Sequence, residues 1–278
     1  MQIDTHAHLN FAAFDKDREK VIKRCLENNV WMINVGSNFR TSKKAVEIAE
    51  NIKEGVFATI GLHPMSLDTG LIKLRSDNLE GEHYEKEFDY ERYKSLAGSE
   101  KVIAIGEIGL DYYWKPKTKR KKELFKQKQK DLLLKQLKLA KELDLPVVFH
   151  CRMANHDLFR ILSENPNLKP KKAVAHSFVG TVDDIKKHLD FGYFIGFNGI
   201  IFKNIEGIDF KKVIEITPLN KILIETDCPY LVPPKAQTKR NEPIFVKYVA
   251  QEIAKIKNTT FEQVTEATTK NAQELFGI

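Results

Sequence analysis

Short apolar runs rich in β-branched residues alternate along this chain with longer amphipathic stretches. The runs end near His8, cover 30–35 and 56–60, lead up to Glu107, His150 and His176, and recur at 193–197 and 222–225. Runs this short and this uniformly apolar predict strands buried on both faces, as in a parallel sheet. The stretches between them predict helices over 15–28 (with Asp15 as N-cap), 41–52, 84–97, 121–144, 155–164, 182–189, 210–216, 242–256 and 261–275. The long helix carries an apolar stripe of Leu124, Leu132, Leu133, Leu137 and Ala140. Residues 109–115 read as a loop, and the polar stretch 68–98 as an excursion ending in the 84–97 helix. Eight strands, each followed by helix, predict an α/β fold: a single (β/α)8 barrel of the TIM type. No Gly/Ser linker divides it, so residues 1–278 read as one domain.

The residues at the strand ends carry the chemistry. His6 and His8 close the first strand, His63 follows the third, Glu107 ends the fourth, His150 the fifth, and His176 the sixth. Glu225 and Asp227 close the eighth. In such a barrel the carboxyl ends of the strands share one rim, where active sites lie. Strand residues two apart share a face, so His6 can meet His8, and Glu225 can meet Asp227. The remaining histidines, His83, His156 and His188, fall in loop or helix and read as surface residues. Any single strand-end histidine could be a satisfied polar group at a barrel mouth; five of them with carboxylates point to a metal centre. Imidazole and carboxylate together suit several divalent ions without choosing among them. Four histidines and two carboxylates exceed one tetrahedral ion with an open site. Two ions (Mg, Mn or Zn) are therefore expected, generating hydroxide at neutral pH and bracing the attacking and leaving oxygens.

Composition changes this picture a little. The 278 residues suit one barrel. Lys and Arg number 45 and Asp and Glu 38, a net charge of +7, which leans towards an anionic partner such as nucleic acid. General lysine richness would give the same charge. Three cysteines without a C-x-x-C pattern argue for a reducing compartment. With no leader-like start and no membrane-length apolar run, the chain reads as cytoplasmic, with a monomer as the default state. Residues 115–130 hold nine Lys or Arg in sixteen and directly follow Tyr112-Tyr113-Trp114. Aromatic rings beside basic residues suit single-stranded nucleic acid; a solvated helix start would look alike.

Motifs from end to end carry a family resemblance. They include Asp4-Thr5-His6-Ala7-His8-Leu9, Gly61-Leu62-His63-Pro64, Gly106-Glu107-Ile108-Gly109-Leu110-Asp111-Tyr112 and His150-Cys151-Arg152. His176-Ser177-Phe178, Gly196-Phe197-Asn198-Gly199, Glu225-Thr226-Asp227-Cys228-Pro229 and Arg240-Asn241-Glu242-Pro243 follow. In these the chain resembles the TatD family of metal-dependent deoxyribonucleases, within the amidohydrolase superfamily. The resemblance implies a binuclear site: His6, His8 and Asp227 on one ion, His150 and His176 on the other, Glu107 bridging, and Asp227 as general base. His63 and Glu225 would support the ligands or touch substrate, and Asp111, Tyr112 and Arg152, which follow ligand-bearing strands, would meet substrate. Cys151 and Cys228 read as packing. The stretches 68–98 and 115–130 look longer than the family's usual connections.

The expectation is a divalent-metal-dependent phosphodiesterase acting on DNA, trimming single strands from an end. Two rivals stay open. The same barrel could hydrolyse a small ester, amide or phosphate ester, since fold does not fix substrate. It could also bind nucleic acid or a partner with little turnover.

Overall fold

The computed structural model describes residues 1–73, 78–81 and 84–278. Eight parallel strands lie in one sheet in sequence order: β1 (Gln2–Ala7), β2 (Val30–Val35), β3 (Val56–Ile60), β4 (Val102–Asp111), β5 (Val147–Arg152), β6 (Ala173–Ala175), β7 (Phe194–Phe197) and β8 (Ile222–Ile224). A bridge from Cys228 back to Ala7 brings the chain beyond β8 onto β1. The sheet thus curls into the (β/α)8 barrel that the alternating pattern predicts. Around it run α1 (Arg18–Glu27), α2 (Phe39–Glu50), α3 (Tyr90–Leu96), α4 (Lys119–Glu142), α5 (Asn155–Glu164), α6 (Val182–Asp190), α7 (Phe210–Ile216), α8 (Val246–Ile256) and α9 (Phe261–Phe276). No described helix is long and apolar enough to cross a membrane.

Strand side chains divide the apolar interior in two. Met32, Ile60, Phe149 and Ile195 face outward and pack with Leu133, Leu137, Leu158 and Val249 of the helices. Ile33, Val148, Val174 and Leu223 face inward and meet Ala272, Leu275 and Phe276 of α9. Asn271 of α9 donates to the carbonyl of Ile222 at the start of β8, and Thr269 to that of Met1, so α9 seats at the amino end of the barrel.

Several elements depart from the sequence pattern, each for a local reason. Asp15 accepts from Arg18 instead of capping; a 3-10 turn over Ala12–Phe14 delays α1 to Arg18. Asn38 caps α2 through a capping box with Thr41, so that helix starts before residue 41. Glu85 bridges to Leu67, and Asp89 provides the N-cap, so α3 begins at Tyr90 and not at 84. β4 runs on to Asp111, through what the pattern marks as loop, because it stays paired with β5 as far as Arg152. Thr118 caps α4, and Leu124 is 49% exposed, outside the buried stripe that Phe125 joins.

Three register shifts interrupt the alternation; one lies between β3 and β4, where the step from Ala58 to Thr59 faces the step from Val102 to Ala104. Between Asp4 and Ala7 β1 spends one residue more than β2, and between Gly106 and Ile108 β4 spends one more than β5. Such insertions re-aim side chains and leave a backbone group to satisfy. The shift in β1 and the one between Gly106 and Ile108 fall on candidate ligands. Asp4 caps the first, accepting from the His6 amide at 3.2 Å and the Thr226 amide at 2.8 Å. Glu107 is the extra residue of the second. Just beyond it, Gly109 (φ +151°) passes so close to β5 that a Cβ would lie 1.8 Å from the His150 carbonyl oxygen.

Candidate metal centre

Glu107 is buried at the centre of the rim, and its two oxygens face opposite ways. Oε1 lies 2.7 Å from His150 Nδ1 and 3.5 Å from His176 Nε2; Oε2 lies 3.5 Å from His6 Nε2. On the Oε2 side, His6 Nε2 and His8 Nε2 are 3.2 Å apart, and Asp227 Oδ1 is 3.3 Å from His8 Nε2. Donor atoms within 4.8 Å of one another form overlapping groups: His6, His8 and Glu107; His6, His176 and Asp227; His63, Glu107 and His150.

Supporting contacts fix the tautomers. His8 donates from Nδ1 to the Val35 carbonyl at 2.9 Å, so in the neutral ring Nε2 is bare and aimed at His6 and Asp227. Without a cation, burial opposes charge on His8, but Asp227 outweighs it and raises the pKa of His8. His150 Nε2 lies 3.0 Å from Asp111 Oδ2, and Asp111 also accepts from the Tyr113 amide. His176 Nδ1 is 2.9 Å from Glu225 Oε1, an ion-pair contact and not an aligned hydrogen bond. Glu225 is held in turn by the Ser177 amide and the Asn198 side chain. Carboxylates behind imidazoles are the usual outer support of metal-binding histidines. His63 differs: its Nδ1 accepts from the Met65 amide, so in the neutral ring Nε2 carries the proton, 3.8 Å from Glu107 Oε1. It presents a donor and not a lone pair.

The protonation pattern follows from burial and crowding. Burial holds His6 below the ordinary imidazole value, with His176 stacked on it at 3.4 Å adding to the effect. Burial and neighbouring His150 push His63 down to about 4. Burial opposes charge on His150 and His176, but carboxylates outweigh it. Glu107 and Asp111 raise His150 to about 10, and Glu225 and Glu107 raise His176 to about 9. Burial likewise opposes charge on Glu107, yet His63, His176 and His150 hold it well below the usual carboxylate range.

This donor set fits a cation. On the His8 side the Nε2 of the neutral imidazole converges with carboxylate oxygens of Asp227 and Glu107, so in that state all three are acceptors. His6 Nδ1 is buried with no hydrogen-bond partner among the described residues. Positive charge between them relieves the repulsion.

The other expected residues divide. Arg152 and Asp111 line the cleft above the centre. Tyr112 does not: its ring is buried under Lys126, and its hydroxyl donates to Asp157 at 2.9 Å. Its neighbours Tyr113 and Trp114 line the cleft instead. Cys228 is buried and packs in the core, while Cys151 is half-buried and reaches the cleft wall. His156 is exposed, as read from sequence. His188 is not a surface residue: it is fully buried between Phe159 and Phe178. His83 lies outside the described residues. The excursion after β3 supplies cleft wall through Ile72, Lys73, Glu80 and Tyr84. The basic segment splits. Lys115 and Lys117 line the cleft, while Lys128 donates to the Thr69 carbonyl and Lys130 pairs with Asp157.

Two residues of α4 escape the sequence reading. Gln136 donates to the Leu62 carbonyl and accepts from its amide, at 2.9 and 2.8 Å, gripping the peptide before His63. Gln129 does the same at Asp111, at 3.1 and 2.9 Å. Both are fully buried, two helical turns apart. Their signal was present: polar residues seven apart on the face that buries Leu132, Leu133 and Ala140.

Barrel, rim and donor set together define a metal-dependent hydrolase. The chain belongs to the TatD family, because the family model described as TatD related DNase matches residues 3–277. It is 37% identical, over the whole of both chains, to an uncharacterized metal-dependent hydrolase, YabD, of Bacillus subtilis. It is 31% identical to the 3'-5' ssDNA/RNA exonuclease TatD of Pantoea ananatis, covering 99% of each. A TatD homologue from Escherichia coli, YJJV, superposes with a TM-score of 0.81 at 28% identity, over 100% of this chain and 98% of that one.

Proposed function

We propose that this chain is a nuclease that hydrolyses phosphodiester bonds of nucleic acid, single-stranded DNA foremost, working from an end. The observation that carries the reading is the split of the Glu107 carboxylate, one oxygen towards His6 and the other towards His150 and His176. In this reading His6, His8 and Asp227 would hold one divalent ion, His150 and His176 the other, and Glu107 would be shared between them. Divalent ions held there would lower the pKa of water and offset charge on the phosphate oxygens. Asp227, beside His8, takes the proton of the attacking water. His63 offers its Nε2 proton to a phosphate oxygen. Asp111 and Glu225 keep His150 and His176 turned to the centre.

The cleft supports a polymeric anion. Its volume is about 1210 Å³, above the range of roughly 300–1,000 Å³ usual for small-ligand pockets. Lys73, Lys115, Lys117 and Arg152 stand along it. The exonuclease named among the relatives agrees with this choice.

An end-labelled single-stranded oligonucleotide tests it. Metal-stripped protein should leave the strand intact. Restored Mg or Mn should give a ladder that Glu107→Ala cannot make, and the labelled end that shortens gives the polarity. No cleavage by protein carrying two ions would overturn the nuclease and favour a small ester or amide as substrate.

A further inference from the structure

Large apolar side chains that stay exposed in a folded chain need a reason when they cluster. Of the seven such residues described, three share one rim of the cleft: Tyr113 at 44% exposed, Trp114 at 37% and Met153 at 65%. Tyr113 and Trp114 pack edge to face, with ring centroids 4.6 Å apart and planes at 87°. The Arg152 guanidinium lies 3.8 Å from the Tyr113 ring centroid and covers one face of that ring. Met153 adopts φ +55°, left-handed backbone that a methionine rarely takes. Strain of this kind persists only where surrounding structure enforces it, and it gathers at functional sites. Here it holds an apolar side chain out over the cleft.

The same rim carries cations. Arg152, Lys115 and Lys117 line the cleft beside the rings. Aromatic faces set among phosphate-binding cations are how proteins hold unpaired bases: the rings stack and the cations follow the backbone. A base inside a duplex has both faces covered, and a paired base at a duplex end must first be unpaired and unstacked from its neighbour to reach such a platform.

We propose that Tyr113, Trp114 and Met153 form a base-binding shelf that takes an unpaired nucleobase next to the phosphate at the metal centre, with Arg152, Lys115 and Lys117 on the flanking phosphates. The shelf rests on the nuclease reading and deepens it, because it makes the strand's unpaired state the property that is selected. It is indifferent to sugar, so a DNA strand and an RNA strand of one sequence gain equally from it.

The chain has two tryptophans, which makes the shelf visible. Trp31, in β2, packs against Phe57 and the barrel interior, away from the cleft. In full-length Trp31→Phe protein, emission therefore reports Trp114 alone. Metal-stripped protein would be titrated with a thymidine oligonucleotide and with the same strand abasic at its terminal nucleotides. The base-bearing strand should quench the emission and bind roughly tenfold or more tightly than the abasic one. With Trp31 restored, Trp114→Ala should lose most of that difference, and Trp114→Phe should keep it. Equal binding of both strands without quenching, while the metal-loaded protein cleaves both, would overturn the shelf and leave the nuclease standing. Failure of the loaded protein to bind or cleave either strand would overturn both readings.

Discussion

The two ends of the barrel are built from the same strands to opposite rules. At the amino end, Ile33, Val148, Val174 and Leu223 pack on Leu275 and Phe276 of α9 in an apolar plug. At the carboxyl end, the same strands present His6, Glu107, His150 and Asp227 to one another. Strain follows the second rule. Of the eight non-glycine residues described at positive φ, four line the cleft: Met153, Ser177, Asp227 and Leu231. The others are Asn, Asp or Gln. Burial at the amino end stabilises the chain, and crowded donors at the carboxyl end spend some of that stability on a cation site. The ends should therefore fail separately.

The strongest test is at the rim. Glu107→Ala or Asp227→Ala should lower turnover by at least about a thousandfold, the loss of roughly 4 kcal/mol of transition-state stabilisation. The fold should survive. Without Glu107, Asp111 still faces His150 and Glu225 still faces His176, so neither imidazole is left as an uncompensated buried charge. Oligonucleotide turnover and thermal melting of the metal-stripped variant, measured together, check both halves. Near-normal rates would remove Glu107 from the centre, and loss of folding would erase the division between the ends.

The converse test is Leu223→Ala. Leu223 is fully buried in the plug. Emptying that space should cost about 3–4 kcal/mol and lower the melting temperature by about 5–10 °C. Well below the melting point, kcat should hold within about twofold. A collapse of kcat there would mean that packing at the amino end sets the geometry of the rim.

The sequence makes these two ends unequally legible. Strand count, strand order and the ligand-bearing strand ends follow from apolar runs and from residues such as His150 and His176, since burial on both faces leaves a plain pattern. The bulges do not show. Ile3 and His6 both face inward although three apart, and Glu107 is inserted between Gly106 and Ile108, so strict alternation misplaces one or the other. Nor could helix periodicity reveal that β4 persists to Asp111, because pairing with β5, not local preference, decides it. The sequence points to Tyr112 as the substrate contact, but Tyr113 is the tyrosine that reaches the cleft, because the direction of the chain leaving β4 decides it. The glutamines of α4 were readable as polar residues on a buried face, but not their targets.

Those glutamines blur the comparison usefully, since α4 belongs to the outer layer yet grips two peptides of the rim. Gln136→Leu leaves the amide and carbonyl of Leu62 buried and unpaired, at a cost of about 2–3 kcal/mol. It should also misplace His63 and lower kcat more than it raises KM. Gln129→Leu acts through Asp111 on His150, and should weaken metal binding by about 10–100-fold in a chelator competition. Stability loss with kcat, KM and metal affinity all unchanged would reduce both glutamines to packing.

The smallest expected effect concerns His188, which belongs to neither end. It lies on α6 with both ring nitrogens buried and no hydrogen-bond partner among the described residues. Burial pushes its pKa down to about 4, with Asp184 offsetting this only in part. The unfolded chain titrates the same ring near 6.5. Below that pH the unfolded state binds a proton that the folded state refuses, so stability falls as the solution is acidified from 6.5 towards 4. Between pH 7 and pH 5 this one residue should cost about 2 kcal/mol. His188→Leu should remove that part of the acid sensitivity while leaving the rim untouched. Urea unfolding of metal-stripped protein and variant at both pH values isolates it, because the rim histidines contribute equally to the two. Identical acid sensitivity in both would show that His188 finds a proton partner when the chain is folded, and the loss would then belong to the rim alone.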